Sequence, residues 1–166
     1  MNAVSTSALQ RAAAVLALIG IPLAGYLTWV HYDASALVCG LGNCHTVQQS
    51  EFATIGPLPV ALLGLAMYVS IFACNALALS RPHLSPVATS IAFAVALSGT
   101  IYALYLTWLE VSVIDAICQW CVASAILTVL LVVIEGVAVW REFGGSGPGI
   151  AETAHPADAS LPVDAH

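Results

Sequence analysis

Charge is what this chain has least of. Only 7% of its 166 residues are Asp, Glu, Lys or Arg, against roughly 25% in an ordinary soluble domain, and 60% are hydrophobic. Too few polar groups remain to clothe a water-soluble fold. Basic residues number three, Arg11, Arg81 and Arg141, and the net charge is −6. A chain so poor in cations offers no electrostatic footprint for nucleic acid, and the same shortage argues against a phosphate site. Cysteine is sparse as well, at five residues, so their placement matters more than their number.

What the chain has instead is long uncharged runs: Ala12 to Val30, Pro57 to Ser80, Leu84 to Leu109 and Ala116 to Ile134. Each approaches or exceeds the ~18 residues that span a bilayer. The first continues through Trp29, beyond the ~7 to 15 apolar residues of a signal peptide, and reads as an uncleaved helix. The expected fold is an all-α integral membrane protein, a bundle of four transmembrane helices. Arg11, Arg81 and Arg141 fall before span 1, between spans 2 and 3, and after span 4, so an even number of crossings sets all three on one side. The positive-inside rule makes that side cytoplasmic. Both termini are then cytoplasmic, and Tyr32 to Gly56 and Glu110 to Asp115 face outward from a multi-pass protein of the cytoplasmic (inner) membrane.

The other connections are short, but spans 1 and 2 are joined by about 25 residues, a length usually reserved for function. Within this loop Cys39 to Cys44 is glycine-rich and turn-like. His45 to Phe52 suits a short helix, with Thr46 and Gln49 at capping spacing and Val47 and Phe52 laid on the membrane surface. Pro57 and Pro59 close the loop and open span 2, a tolerated place for proline. Gly64 and Ala66 offer small surfaces for close helix packing. Residues 1–143 form the expected membrane domain; 144–166, rich in Gly, Ala, Pro and Asp, read as a disordered cytoplasmic tail.

Four cysteines, Cys39, Cys44, Cys118 and Cys121, fall on the outer face, the oxidising side where disulfides persist. Cys74 lies about 17 residues into span 2, roughly 25 Å deeper, and reads as a small buried hydrophobe. Cys118-Gln119-Trp120-Cys121 opens span 4. Orphan N–H groups at a helix N-terminus favour thiolate, and a spacing of three turns both sulfurs to one face, so redox cycling is the chemistry this motif allows. Three plainer readings stand beside it. The cysteines could be loop staples, although a ring closed over four residues removes little chain entropy. Zinc could sit on the four cysteines, or on three with His45, against the oxidising location. A non-enzymatic membrane scaffold or transporter subunit with structural disulfides is the rival function.

Trp29 and Trp108 fit an interfacial aromatic belt, while Trp120, between the thiols, suits the belt and a stacked ligand about equally. Glu135, some 19 residues past Ala116, is expected near the cytoplasmic interface.

A loop cysteine pair after the first span and a C-x-x-C at the head of the fourth resemble the vitamin K epoxide reductase family. Cys44 to Phe52 looks like the family segment with a serine six residues after the second loop cysteine, and Gly56 to Tyr68 like its Gly-Pro entry to the second helix. The likeness covers about residues 10 to 141. It implies a bundle enclosing a quinone, ubiquinone or menaquinone, near the outer surface, with Cys39, Cys44, Cys118 and Cys121 catalytic. Cys121 would face the quinone and Cys118 exchange with Cys44, while Ser50 organises the loop and Trp120 and Phe52 line the cofactor site.

The family's tyrosine four residues after the second C-x-x-C cysteine is Ala125 here, and its asparagine at the start of helix 2 is about Val60. Those departures favour the bacterial, disulfide-forming branch over epoxide reduction. The implied partner is a separate thioredoxin-like extracytoplasmic protein. The other quinone-linked disulfide generator, the Dsb-type four-helix protein, carries its C-x-x-C in the first outer loop, the reverse of the order here.

Overall fold

The structure is a computed structural model and describes residues 5–144. The expected tail lies outside the described residues except for Gly144, which closes the last helix. In chain order the elements are α1 (Thr6–Tyr32), α2 (Cys44–Gln48), a hairpin of β1 (Thr54–Ile55) and β2 (Leu58–Pro59), then α3 (Val60–Ser80), α4 (Ser85–Ser112) and α5 (Gln119–Gly144). Four of them, α1, α3, α4 and α5, are long and apolar enough to cross a membrane, the all-α four-helix membrane bundle expected from the uncharged runs.

The bundle puts small residues inside and large ones outside. Ala13, Ala17, Gly20 and Ala24 form the buried stripe of α1, while Val15, Leu18 and Ile19 on the other side are more than half exposed. Lipid solvates large apolar side chains as well as a core does, so close backbone approach, rather than hydrophobic burial, drives such helices together. Gly20 shows the need: a Cβ there would lie 2.4 Å from the ring of Tyr68. That ring is fully buried, and its hydroxyl meets Ser124 Oγ at 2.9 Å, joining α3 to α5. Gly64, expected at a helix contact, faces α1, where an added Cβ would lie 4.0 Å from the Ala24 Cβ, and with Ala66 it also lines a cavity described below.

Polar ties close the end that carries the arginines. Gln10 Nε2 donates to Ser85 Oγ (2.8 Å) and Thr89 Oγ1 (3.1 Å), and Ser85 Oγ donates to Glu142 Oε1 (2.6 Å). These bonds fasten the start of α1 to the start of α4 and the end of α5. Glu135 lies within α5, which runs ten residues past Ile134. It is fully buried and accepts a hydrogen bond from Asn75 Nδ2 at 2.5 Å.

The first loop also departs in detail. The helix expected over His45 to Phe52 is the shorter α2, capped at Asn43 with no side-chain bond, followed by a 3₁₀ turn at Glu51–Ala53. The Thr46 and Gln49 capping pair is not formed, because the helix is capped at Asn43, three residues too early for it. Pro57 lies in the hairpin, turned by Gly56 at φ 60°, so α3 begins only after Pro59.

Candidate active site

At the end of the bundle opposite the arginines, the α1–α3 connection folds back over the head of α5. Tyr26 on α1 anchors it: its hydroxyl accepts from Val38 N at 2.9 Å and donates to Ala36 O at 3.2 Å. Its ring meets Trp120 edge-on at 5.3 Å, and Trp120 Nε1 donates to Val38 O at 2.8 Å. Cys39 and Cys44 are joined in a disulfide, their Cα atoms 5.9 Å apart.

The disulfide loop is then stitched to the C-x-x-C. Gly42 bridges antiparallel to Cys118, Asn43 N donates to Ile117 O at 2.9 Å, and Leu41 N donates to Gln119 Oε1 at 2.7 Å. Gly42 has φ 83°, and a Cβ at this position would lie 2.1 Å from Ile117 O. Only glycine combines that backbone with that approach.

This docking sets the accessibility of the sulfurs. Cys39 is half-buried, whereas Cys44 and Cys118 have no exposed surface. The head of α5 is therefore covered by the loop, and Cys118 is not the exposed thiol that its place at a helix start suggested. Cys118 and Cys121 are free thiols. The Cys118 thiol is drawn down from 9.0 to about 7, first by a hydrogen bond from the Cys121 thiol and then by the N–H groups of Cys121 and Trp120, against the cost of burial and the Glu110 charge. The two N–H contributions are the helix N-terminal effect expected for the motif, and the larger one comes from the second thiol.

Beneath the loop and α2 lies a cavity of about 480 Å³ between α3, α4 and α5, within the range of small-molecule sites. Cys121, Ser50 and Phe52 line it; Trp120 does not, being engaged by Val38 and Tyr26. Val47 is buried and Phe52 half-buried, so both turn inward rather than lying on a membrane surface. Ser50 Oγ donates to Val47 O at 2.7 Å and ties the end of α2. Val60 and Ala125, the two positions lacking the expected polar groups, both line the cavity. Cys74 sits apart on α3, while Trp29 and Trp108 are each 57% exposed.

Sequence reasoning missed three residues. Glu110 is 3% exposed, lines the cavity, and accepts the Cys118 N–H at 3.1 Å; its signal was an acid at the end of the third uncharged run, eight residues before the C-x-x-C. Tyr26 and Gln119 carried no signal, because an aromatic near a helix end and a glutamine between cysteines are both ordinary.

Four membrane-type helices that hold a disulfide against a reduced C-x-x-C at the mouth of an apolar cavity define a membrane redox protein. The family model for the vitamin K epoxide reductase family matches residues 11–135, and the chain belongs to that family. It is accordingly an oxidoreductase of the membrane.

Proposed function

We propose that the chain is a thiol:quinone oxidoreductase that reoxidises a separate, extracytoplasmic thioredoxin-like protein and so supports disulfide formation. The observation that carries this reading is the serial arrangement of two cysteine pairs. A half-exposed sulfur, Cys39, leads through its disulfide partner Cys44 to Cys118, and from there to Cys121 on the cavity wall. Each pair faces a different reaction partner. A loop staple needs neither the second pair nor the cavity.

The chemistry is a sequence of thiolate displacements. A partner thiolate attacks Cys39, Cys44 leaves, and the partner's second thiol releases its own disulfide. The reduced loop pair is then reoxidised: Cys44 attacks Cys118 of an oxidised C-x-x-C, Cys121 leaves, and Cys39 resolves the Cys44–Cys118 bridge. The arrangement described above, with the loop pair oxidised and the C-x-x-C reduced, is the state that follows. Cys118 suits its place in this relay, because a thiol near pH 7 both attacks and leaves readily.

The cavity fits a quinone ring: it is mostly apolar, it has a thiol on its wall, and its few polar side chains include Glu110, Tyr102 and Ser124. A bound ubiquinone or menaquinone would accept two electrons and two protons there. Cys121 would face it, with Phe52 and Ser50 closing the site from the loop. The arginine end is assigned to the cytoplasm, the relay to the outer face, and the protein to the cytoplasmic (inner) membrane, by the positive-inside rule.

The test is reconstitution. Purified protein supplied with a reduced thioredoxin-like protein should reduce a quinone, and all four of Cys39, Cys44, Cys118 and Cys121 should be required. Wild-type turnover after Cys121→Ser would refute the relay. In intact cells a membrane-impermeant thiol reagent should label Cys39, Cys44, Cys118 or Cys121 after mild reduction; labelling confined to Cys74 would reverse the orientation.

A further inference from the structure

Glu110 is a carboxyl group in a place that is costly for one. It is almost fully buried at the apolar cavity, and all three arginines lie at the opposite end of the bundle. A buried carboxylate without a cation must be held by hydrogen-bond donors or must trade protons. The C-x-x-C supplies its hydrogen-bond donor, the Cys118 N–H at 3.1 Å, and places the Cys121 thiol beside it on the wall of the same cavity. The carboxyl group is therefore bonded to the backbone that sets the motif and shares a cavity with the sulfur at its second position. Accepting an N–H needs only a carbonyl oxygen, which glutamine supplies equally well; taking the thiol proton needs the acid.

We propose that Glu110 is a catalytic residue, the proton acceptor for the Cys121 thiol and the donor of that proton to the substrate in the cavity. The proposal rests on the quinone reading above. The S–H bond of Cys121 breaks and an O–H bond forms on Glu110, which leaves the sulfur its electron pair. Cys118 loses its own proton to water and closes the Cys118–Cys121 disulfide, releasing two electrons. The quinone leaves as quinol, having taken those two electrons, the Glu110 proton and one proton from water, and Glu110 returns to carboxylate. Two thiols and one quinone thus give one disulfide and one quinol. Glu110 also supplies a polar group to a cavity that has Val60 and Ala125 where the family resemblance placed polar contacts.

The groups that titrate against Glu110 are Cys118 and Cys121 at the head of α5. Tyr102, about two turns back on α4, lines the same cavity, and the side chains that α1 and α3 present to it do not titrate.

Glu110→Gln and Glu110→Asp separate proton transfer from positioning. Both keep an oxygen for the Cys118 N–H, but only the aspartate keeps a base. In the full-length protein, quinone reduction by Glu110→Gln should fall by ~10²-fold near neutral pH, the usual worth of a general base. It should recover towards about pH 9, where hydroxide replaces the lost base, and Glu110→Asp should retain more activity than Glu110→Gln. A second readout needs no quinone. The Glu110 charge opposes the Cys118 thiolate, so Glu110→Gln should move the pH midpoint of Cys118 alkylation downward.

A lower alkylation midpoint with slower turnover is the signature of a lost base, since a loosened fold would speed alkylation at every pH without lowering that midpoint. A glutamine variant within about twofold of wild type in turnover would overturn the proposal, as would an alkylation midpoint that does not move or a deficit that persists unchanged at high pH. If the wild-type protein reduced no quinone at all, the function proposed above would fall. The proton-acceptor assignment would then be decided by oxidation of the reduced C-x-x-C with a small-molecule disulfide. Slower oxidation in Glu110→Gln would support it, and an equal rate would overturn it.

Discussion

Replacing Gly42 with alanine should uncover Cys118. Gly42 holds φ 83° and bridges to Cys118, and the added Cβ would sit 2.1 Å from the carbonyl oxygen of Ile117. That oxygen is backbone, held by the Asn43 N–H at 2.9 Å, so it cannot swing aside as a flexible side chain would. A left-handed backbone costs an L-residue ~1–2 kcal/mol, and losing the Asn43 bond adds ~1 kcal/mol. The docked loop is then weakened by ~2–3 kcal/mol, which multiplies the open population by ~30–150 at a factor of ten per 1.36 kcal/mol.

Cys118 has no exposed surface while the loop is docked, so its alkylation proceeds through the open state and tracks that population. Short pulses of a small alkylating reagent on protein with the loop pair oxidised, read by peptide mass spectrometry, should show Cys118 modified faster by that factor. Turnover with a protein thiol donor should fall, because exchange between Cys44 and Cys118 needs the docked geometry. Gly25→Ala is the matched control, since a Cβ there meets nothing within 4 Å. Equal Cys118 protection in wild type and Gly42→Ala would refute the idea that this bridge covers the motif.

Two further outcomes follow from the cysteines themselves. Cys39→Ser should trap a Cys44–Cys118 bridge within the chain, and Cys44→Ser should accumulate a covalent complex between Cys39 and the outside partner, formed when the lone Cys39 thiolate attacks oxidised partner. Non-reducing electrophoresis with peptide mass spectrometry distinguishes both from a direct C-x-x-C oxidase, in which the partner would be found on Cys118 and the loop pair would be dispensable. The Cys118 thiol, lowered to about 7, should lose reactivity as pH falls through that value, because protonation removes the nucleophile. Relative alkylation should therefore drop roughly tenfold for each unit well below the midpoint; a midpoint near 9 would show that the hydrogen bonds to its sulfur are not formed in solution.

The four helices were legible before any coordinates because the bilayer demands ~18 to 20 consecutive apolar residues and this chain has only four such runs. Element ends were less legible. Charge ends an uncharged run but does not end a helix, so Glu135, Arg141 and Glu142 all lie within α5; of the two prolines expected to open α3, Pro59 caps it while Pro57 lies in the turn of the hairpin before it. The C-x-x-C at a helix start and the spaced loop pair were readable from spacing alone, as was a lowered thiol in the motif, because the N–H groups of a helix start and the second thiol are both local in sequence.

Everything that depends on contact between distant segments was decided by the tertiary structure. Burial of Cys118 comes from Leu41, Gly42 and Asn43, which reach residues more than seventy positions away. The inward turn of Val47 and Phe52 exists because there is a cavity beneath α2 for them to face. Glu110 is the sharpest case. In sequence it is one acid at the end of an apolar run, where water would solvate it; in the fold, α4 and α5 meet so that it accepts the Cys118 N–H and lines one cavity with Cys121. Hydropathy and spacing act along the chain and can be read there, whereas the partner of a buried polar group is chosen by packing, which no local pattern encodes.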